Sequence, residues 1–578
     1  MPVPSYAFPT PPATITPTPL DELDRAIARV RKSRHRWAEL DIEARITLLD
    51  RLLGTVAASA DAWVDLALRA KGLAADQPAA GEEWLGGPVV TLRNIRLLKQ
   101  ALRDIKHHGR PQIAPERLSY RADGRLVAEV FPDTHFDKAM FPGFRAEVWM
   151  RRGVTADNLE SHQASAYRRN IAGRVAAVLG AGNVSSIPAM DTLYKLFADK
   201  QVVVLKMNPV NEYLGPVLER ALAPLVEQDL LAIVYGGPEQ GAHLCNHPDV
   251  DTLHLTGSDA THDAIVWGPA EGRQDRKKRG ERANDKPITS ELGNVTPLIV
   301  VPGAWSDADL AFQAENVASM VANNASFNCN AAKLLVTSRD WPQRAAFLDA
   351  VRAVLRSLPN RKAYYPGARA RWSQFVDAHP EAELLTADAP DTVPWTLISD
   401  LDPSATDDIC FRTEPFCAVL HEVALPGEDA AAFLPEAVAF CNRTVWGTLS
   451  CSILVHPSSR KDVAVETALQ EALDRLRYGS IGINHWAGLV YGLAAPPWGA
   501  YPGHTAADIQ SGAGVVHNTA LFDRPEKSVV SGPFRVFPKP PWFVTHRRTH
   551  RVGQSLAAFE ARPSLGRLSR VGYQALRG

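Results

Sequence analysis

What the 578-residue chain is short of narrows the field first. Its six cysteines, at 245, 329, 410, 417, 441 and 451, have neither the density nor the spacing of a disulfide framework. That scarcity predicts reduced thiols and a cytoplasmic protein. Charge of one sign is also lacking: 63 Lys and Arg meet 64 Asp and Glu, a formal net charge of -1. No global field therefore draws in nucleic acid or an anionic membrane. No apolar run approaches the roughly 18 residues of a membrane span. The opening stretch MPVPSYAFPTPPATITPTPL has no basic region followed by an apolar one, so no secretory signal is expected there. No internal repeat is visible. What is present is an ordinary globular composition, 46% hydrophobic and 22% charged. The length exceeds what one core accommodates, which predicts two or three domains.

Texture changes along the chain. Residues 1-19 are rich in proline and threonine and read as an extended arm. From Leu20 to about Arg110 apolar residues recur three and four apart, as in helices. Short strand-like pieces follow between about 112 and 170. The most regular part comes next. RVAAVLG (174-180), VVVLKMN (202-208), LLAIVYGG (230-237) and TLHLTGS (252-258) read as buried strands. Between them, IPAMDTLYKLFADK (187-200) and EYLGPVLERALAPLVE (212-227) read as helices. Strands alternating with amphipathic helices predict a parallel sheet covered on both faces. Residues 271-287 carry seven Lys and Arg against four Asp and Glu, the pattern of a solvated loop or of a phosphate or partner contact. The last segment, 546-578, is arginine-rich and reads as a basic, loosely packed tail, with contact to a partner subunit or an anionic surface as the other reading.

Several residues suggest chemistry. In LGAGNVSSIPAM, Gly180 and Gly182 precede a helix, an arrangement that lets backbone approach a pyrophosphate. Lys206 ends the second strand, where open sheets bind ligands. It can hold ribose hydroxyls or a 2′-phosphate, or it can be a surface lysine paired with an acid. Cys329 sits among amides in NNASFNCNAA, the setting of a reachable nucleophile, although most free cysteines are buried and inert. His243, Cys245 and His247 in HLCNH alternate as in a strand metal half-site. They fall in a helical segment that splays such spacing, so no metal is expected.

Taken in order, these landmarks resemble the aldehyde dehydrogenase superfamily over about Leu20 to Trp542. ITSELGN resembles its glutamate motif, making Glu291 the general base, and SFNCNAAKLLV its cysteine motif, making Cys329 the nucleophile. Asn183, in GAGN, takes the place of the asparagine that binds the oxyanion. VVVLKMNP resembles the strand whose lysine, here Lys206, holds the adenosine ribose. Gly257 and Ser258 of LTGS resemble the turn on the cofactor's pyrophosphate, with Gly182 nearby. In TEPFCAVL, Glu414 and Phe416 resemble the pair at the nicotinamide ribose and ring. GSIGIN and PPWGAYPGHTAADIQSG resemble the segments that close the catalytic domain. The chain departs from the pattern at Asn294, where a glycine is usual, at Ser326-Phe327, and in the GAGN turn. Pro209 stands where NAD-preferring members often carry a glutamate on the ribose 2′-hydroxyl; with no carboxylate to repel it a 2′-phosphate is tolerable, so the cofactor is NAD or NADP.

The resemblance implies an α/β fold of three parts. A Rossmann-type dinucleotide-binding domain would use residues 20-142 and 171-290, and an α/β catalytic domain 291-515. A small β oligomerisation arm would use 143-170 and 516-545, giving a homodimer or homotetramer. It implies NAD(P)-dependent oxidation of an aldehyde to an acid through a cysteine thiohemiacetal and thioester, the latter hydrolysed by Glu-activated water. The GAGN turn resembles long-chain acyl-CoA reductases of the same superfamily, so acyl-thioester reduction or coenzyme A acylation is the alternative. An inactive scaffold or binding protein is a third. The tryptophans of INHWAGLVYGLAAPPWGAYPG line a substrate entrance or pack in the core.

Overall fold

The computed structural model describes residues 15–169 and 171–578. Most of the expected proline-rich arm therefore lies outside the described residues. Residues 15–18 run beside Tyr235, whose carbonyl accepts from the Thr18 amide at 3.1 Å.

Two helices open the structure. Along Leu20–Glu39 the residues Leu23, Ile27, Val30 and Trp37 are buried, the spacing of one helical face. Ile42–Lys71 starts where the Asp41 carboxylate accepts from the Ala44 amide at 2.8 Å and stops at Gly72, in left-handed backbone at φ 66°. With Val90–His108 they pack around a six-stranded sheet. Its strand order is Gly512–Ala513, Ile288–Glu291, Thr252–Thr256, Val175–Leu179, Val202–Lys206, Leu231–Val234. All neighbours are parallel except Gly512–Ala513, which runs antiparallel to Ser290 and Glu291. The chain steps outward from Val175–Leu179 to Leu231–Val234, then returns to the opposite side of Val175–Leu179 as Thr252–Thr256. That reversal opens a crevice at the strands' carboxyl ends. The four strands expected from the sequence are present. The expected helix over 212–227 is instead broken into Glu212–Leu214, Gly215–Ala221 and Ala223–Val226.

The second sheet has eleven strands. Its parallel centre runs Ser480–Ile483, Ser450–Leu454, Pro297–Val300, Leu334–Ser338, Val419–Leu425, Thr396–Leu401. Pro525–Ser531 continues it in parallel from Ser480–Ile483, and Arg145–Met150, Leu126–Phe131 and Leu118–Tyr120 follow antiparallel. Two expected boundaries need correction here. Residues 118–131, assigned to the dinucleotide-binding part, join this sheet instead, because Leu126, Ala128 and Val130 bury their apolar face against Val148 and Val530.

The second correction concerns 546–578, expected as a loose basic tail. It forms the helices Thr549–Ala561 and Leu565–Ala575. The first is anchored by Glu560, which accepts from Arg93 at 3.0 Å and from Arg96 at 2.8 Å. Close approach does the rest: a Cβ on Gly553 would lie 2.4 Å from the Trp84 Cβ. The basic segment 271–287 holds a short exposed helix, Arg273–Arg279. Among the described residues, no helix is long and apolar enough to cross a membrane.

Candidate active site

Cys329 follows the helix Asp307–Ala322 through a tight turn in which Asn324, Ala325 and Ser326 all have positive φ, at 54°, 54° and 69°. Three successive non-glycine residues in that region are strained and need external support. The Asn324 side chain supplies much of it. Its amide nitrogen donates to the carbonyls of Asn183 (3.0 Å) and Phe327 (3.2 Å) and to Asn328 Oδ1 (3.0 Å). Its Oδ1 accepts from Lys71 Nζ and the Tyr364 hydroxyl, both at 2.8 Å. Buried Lys333 donates to the carbonyl of Ser326 at 2.8 Å. Asn328 in turn donates to Asn323 Oδ1 at 2.9 Å. The asparagines around the cysteine thus hold a left-handed turn in place, and Asn324 carries the largest share.

The turn delivers Cys329 beside Glu291, which stands at the end of its strand. The Cys329 thiol donates to Glu291 Oε1 across 3.4 Å. Burial pushes the thiol well above its ordinary pKa, and the carboxylates of Glu291 and Glu414 push the same way. Burial also lifts Glu291 to about 7; the Trp498 indole and the Cys329 thiol oppose it, while Asp191 adds to it. Glu291 Oε2 has no hydrogen-bond partner among the described residues. Asn183 donates one amide hydrogen to the Phe327 carbonyl at 2.9 Å.

Two cavities meet at these residues. One, of about 510 Å³, lies at the crevice of the six-stranded sheet and is lined by Gly257, Ser258, Glu414, Phe416 and Trp446. The other, of about 200 Å³, is mostly apolar and includes Trp486 and Trp498 in its wall. Asn183, Ile187, Glu291 and Cys329 line both. In the larger cavity Glu414 is buried with its pKa raised by that burial, and its Oε1 has no partner among the described residues. Phe416 adopts left-handed backbone at φ 41° and packs edge-on against Tyr365, ring centres 4.9 Å apart.

Two further expected cofactor residues adjoin that cavity wall, Gly182 between Ala181 and Asn183 and Lys206 two residues before Asn208. Gly182 is a glycine because of its neighbours: a Cβ there would lie 2.6 Å from the Val210 Cβ and 2.8 Å from Asn208 Oδ1. Lys206 is buried at the end of its strand and donates to the Met207 carbonyl at 3.2 Å. Burial lowers its pKa, opposed by Glu212 and Cys245.

Asn294, a departure from the resemblance at the sequence level, has a position of its own. Fully buried, it donates to the Thr296 hydroxyl at 2.9 Å and to the Ser450 carbonyl at 2.8 Å. Sequence reasoning missed both it and Asn324. The polarity of positions 294 and 324 next to apolar strands was the available signal.

His243 and His247 do not splay apart as their spacing suggested. One helical turn apart, they converge on Asp24, with Nε2 to Oδ1 distances of 2.6 and 3.4 Å, while Cys245 is buried away from them. Because His247 Nδ1 accepts the Asp249 amide at 3.1 Å, its proton is on Nε2, which leaves that nitrogen a donor to Asp24 instead of a metal ligand. Cys410 and Cys417, expected to be structural, are both buried.

An α/β chain with a cysteine and a carboxylate at the meeting point of two cavities defines a class of thiol-dependent sites at a dinucleotide-type crevice. Residues 144–367 match the aldehyde dehydrogenase family model. The chain is 29% identical over 186 residues to N-succinylglutamate 5-semialdehyde dehydrogenase of Sphingopyxis alaskensis, covering 32% of this chain and 34% of that protein. It is 32% identical over 166 residues to a probable betaine aldehyde dehydrogenase of Schizosaccharomyces pombe, covering 28% and 30%. The matched part spans about a third of the length of these curated relatives. Likeness in structure extends further. Aldehyde dehydrogenase C of Pseudomonas syringae, a mutant complexed with NAD+ and octanal, superposes with a TM-score of 0.59 at 16% identity, over 93% of this chain and 95% of that one. An NADP complex of glyceraldehyde-3-phosphate dehydrogenase from Methanocaldococcus jannaschii gives 0.58 at 16% identity, over 90% and 96%. Residues 144–367 thus match the aldehyde dehydrogenase family, and the likeness to solved aldehyde dehydrogenases carries the same fold over most of the chain.

Proposed function

We propose that this protein oxidises an aldehyde to a carboxylic acid with NAD or NADP, using Cys329 as nucleophile and Glu291 as general base. The observation that carries the reading is the 3.4 Å approach of the Cys329 sulfur to Glu291 where the two cavities join. Support for a nicotinamide cofactor comes from the crevice at the strand ends. Gly257 and Ser258 line it, and Glu414 turns a buried, unpartnered carboxylate oxygen on its wall, an acceptor suited to a ribose hydroxyl. Several structural neighbours carry NAD or NADP in the same fold.

Glu291 takes the proton of Cys329 as the sulfur attacks the aldehyde carbon, which turns a buried neutral thiol into a nucleophile only when substrate is present. The oxygen of the resulting thiohemiacetal becomes negative. The second amide hydrogen of Asn183 and the backbone N–H of Cys329 stabilise it; losing one such donor costs about 10²- to 10³-fold in rate. A nicotinamide bound in the larger cavity supplies a hydride acceptor for the hydrogen on that carbon. Cys329 then holds the acyl group as a thioester. Glu291 first gives up the thiol's proton to solvent, then deprotonates a water that attacks the thioester and passes that second proton to the departing sulfur, releasing the acid and restoring the thiol, a step for which a carboxylate held near pKa 7 is suited.

The test is a panel of aldehydes assayed for nicotinamide reduction with NAD+ and with NADP+, without coenzyme A, on wild type and Cys329→Ser. Reduction by wild type and its loss in the variant are expected. Reduction of acyl-CoA by NADPH, with no aldehyde oxidised under any condition, would overturn the reading in favour of an acyl-thioester reductase. Absence of both activities would point to a binding protein.

A further inference from the structure

The smaller cavity has a wall that comes from outside the span resembling the superfamily. Leu556 and Glu560, from the helix Thr549–Ala561, line it, beside Trp542 at the end of that span. Leu556 is only half buried although its helix neighbours Ser555 and Ala557 are buried, because its side chain faces the cavity. Trp542 lines this cavity and an adjoining one of about 430 Å³, so its indole stands between the two.

The charges in the wall decide what the cavity can receive. Lys71 has three ammonium hydrogens, and they go to Glu83 (2.6 Å), Asn324 Oδ1 (2.8 Å) and the Asn183 carbonyl (3.3 Å). Arg93 spends its guanidinium on the Leu493 carbonyl (2.8 Å), Glu560 (3.0 Å) and Asp137 (3.1 Å). Glu82 is held by Arg361 at 3.0 Å. Both cations are thus occupied, and each wall carboxylate other than Glu291 already faces a cation. An anionic substrate tail finds no unpaired cation here, since the unpartnered donors in the wall, the Ser185 hydroxyl and the Trp498 and Trp542 indoles, are neutral, and a cationic tail finds no unpaired acid apart from Glu291. Leu85, Met140, Phe141, Leu489, Trp542 and Leu556 supply the rest of the surface.

We infer that the aldehyde carried by Cys329 is neutral and apolar, an alkyl or aryl aldehyde. The C-terminal helix sets its length, with Leu556 closing the far end and Trp542 partitioning it from the next cavity. The inference rests on the aldehyde-oxidising reading above and adds the substrate class and the residues that select it.

The experiment measures kcat/KM for straight-chain aldehydes of graded length, for benzaldehyde, and for ω-carboxylated and ω-trimethylammonium aldehydes of matched length. It uses wild type, Leu556→Ala and Leu556→Trp in the full chain, with exposed Leu565→Ala as control. Wild type is expected to prefer neutral aldehydes over either charged kind by at least about 10²-fold, because a charge in this wall goes unpaired. Leu556→Ala should raise the ratio of long- to short-chain kcat/KM by about 10-fold or more, and Leu556→Trp should lower it by a similar factor. Equal use of charged and neutral aldehydes by wild type would overturn the inference even if no variant folds. Folded variants with an unchanged length profile would overturn the role of the helix. If no aldehyde is oxidised at all, the activity itself fails, a result distinct from either.

Discussion

Thr296 donates its hydroxyl proton to the backbone carbonyl of Cys329 across 3.1 Å. The Asn294 amide fixes that hydroxyl from behind, and the same amide ties it to Ser450 on a neighbouring strand. The carbonyl of Cys329, the proposed nucleophile, is therefore oriented through Thr296 by a side chain at the position where the superfamily pattern has a glycine. Replacing Asn294 by Gly should lower stability by about 2 kcal/mol, because the Ser450 carbonyl is left buried without that donor. The thiol should also become less well placed. Urea unfolding reads the first effect, and the rate of Cys329 alkylation against wild type reads the second.

Asn324→Ala removes a side chain that makes two hydrogen bonds within the Cys329 turn and three to Lys71, Tyr364 and Asn183 around it. Lys71 and Tyr364 lose a buried acceptor, and the backbone at φ 54° loses its support. A loss of about 3 kcal/mol and at least about tenfold in kcat is expected. Asn324→Gly, which relieves the backbone but not the missing bonds, should recover only the strain, of order 1 kcal/mol. Chemical denaturation and steady-state rates on both variants separate the two contributions.

The pH dependence of turnover follows from Glu291. Its pKa is raised to about 7 chiefly by burial. The deprotonated form is the base, so kcat should be level above that value and fall about tenfold per pH unit below it. Glu291→Gln removes the group that titrates. Its kcat should drop by about 10²- to 10⁴-fold and lose that acidic limb. A wild-type profile with no limb near neutrality would contradict the assignment.

Glu560→Ala takes away the carboxylate that Arg93 and Arg96 share in a buried setting. Breaking a buried pair in this way costs about 3–5 kcal/mol. The helix Thr549–Ala561 should come loose, and limited proteolysis should then cut near residue 545 in the variant while sparing wild type.

At Gly553, in the middle of that helix, alanine would ordinarily help by up to about 1 kcal/mol. Here the new Cβ would lie 2.4 Å from the Trp84 Cβ, and Gly553→Ala should instead destabilise by about 1–3 kcal/mol. The sign of the change in melting temperature settles it.

Much of the parallel sheet could be read from the chain because its signal is local. Val175–Leu179, Val202–Lys206, Leu231–Val234 and Thr252–Thr256 are short apolar runs bounded by polar turns, and each lies where its run predicts. Cys329, Glu291 and Asn183 could be nominated from motif order, yet only folding brings residues 183, 291 and 329 to one place. Other features were hidden because they depend on distant partners. Leu126–Phe131 finds its place through Arg145–Met150 and Pro525–Ser531, which no local pattern announces. The segment 546–578 reads as a tail because it holds seven arginines. Val552, Leu556 and Phe559 repeat at helical spacing within it, and Glu560 meets an arginine 467 residues upstream. Lys206 and Gly182 stand on the strand end and the turn that their local motifs predict.

The strand that presents Glu291 pairs with Gly512–Ala513, and the Leu292 amide donates to the Ser511 carbonyl at 2.9 Å. Gly512 serves there at φ 115°, since a Cβ would lie 2.1 Å from the Ser290 carbonyl oxygen. A growing polypeptide on the ribosome therefore makes Glu291 and Cys329 more than 180 residues before the edge that pairs with the Glu291 strand, and reaches Glu560 later still. Until then residues 291 and 329 lack the strand edge and the helix that complete their surroundings.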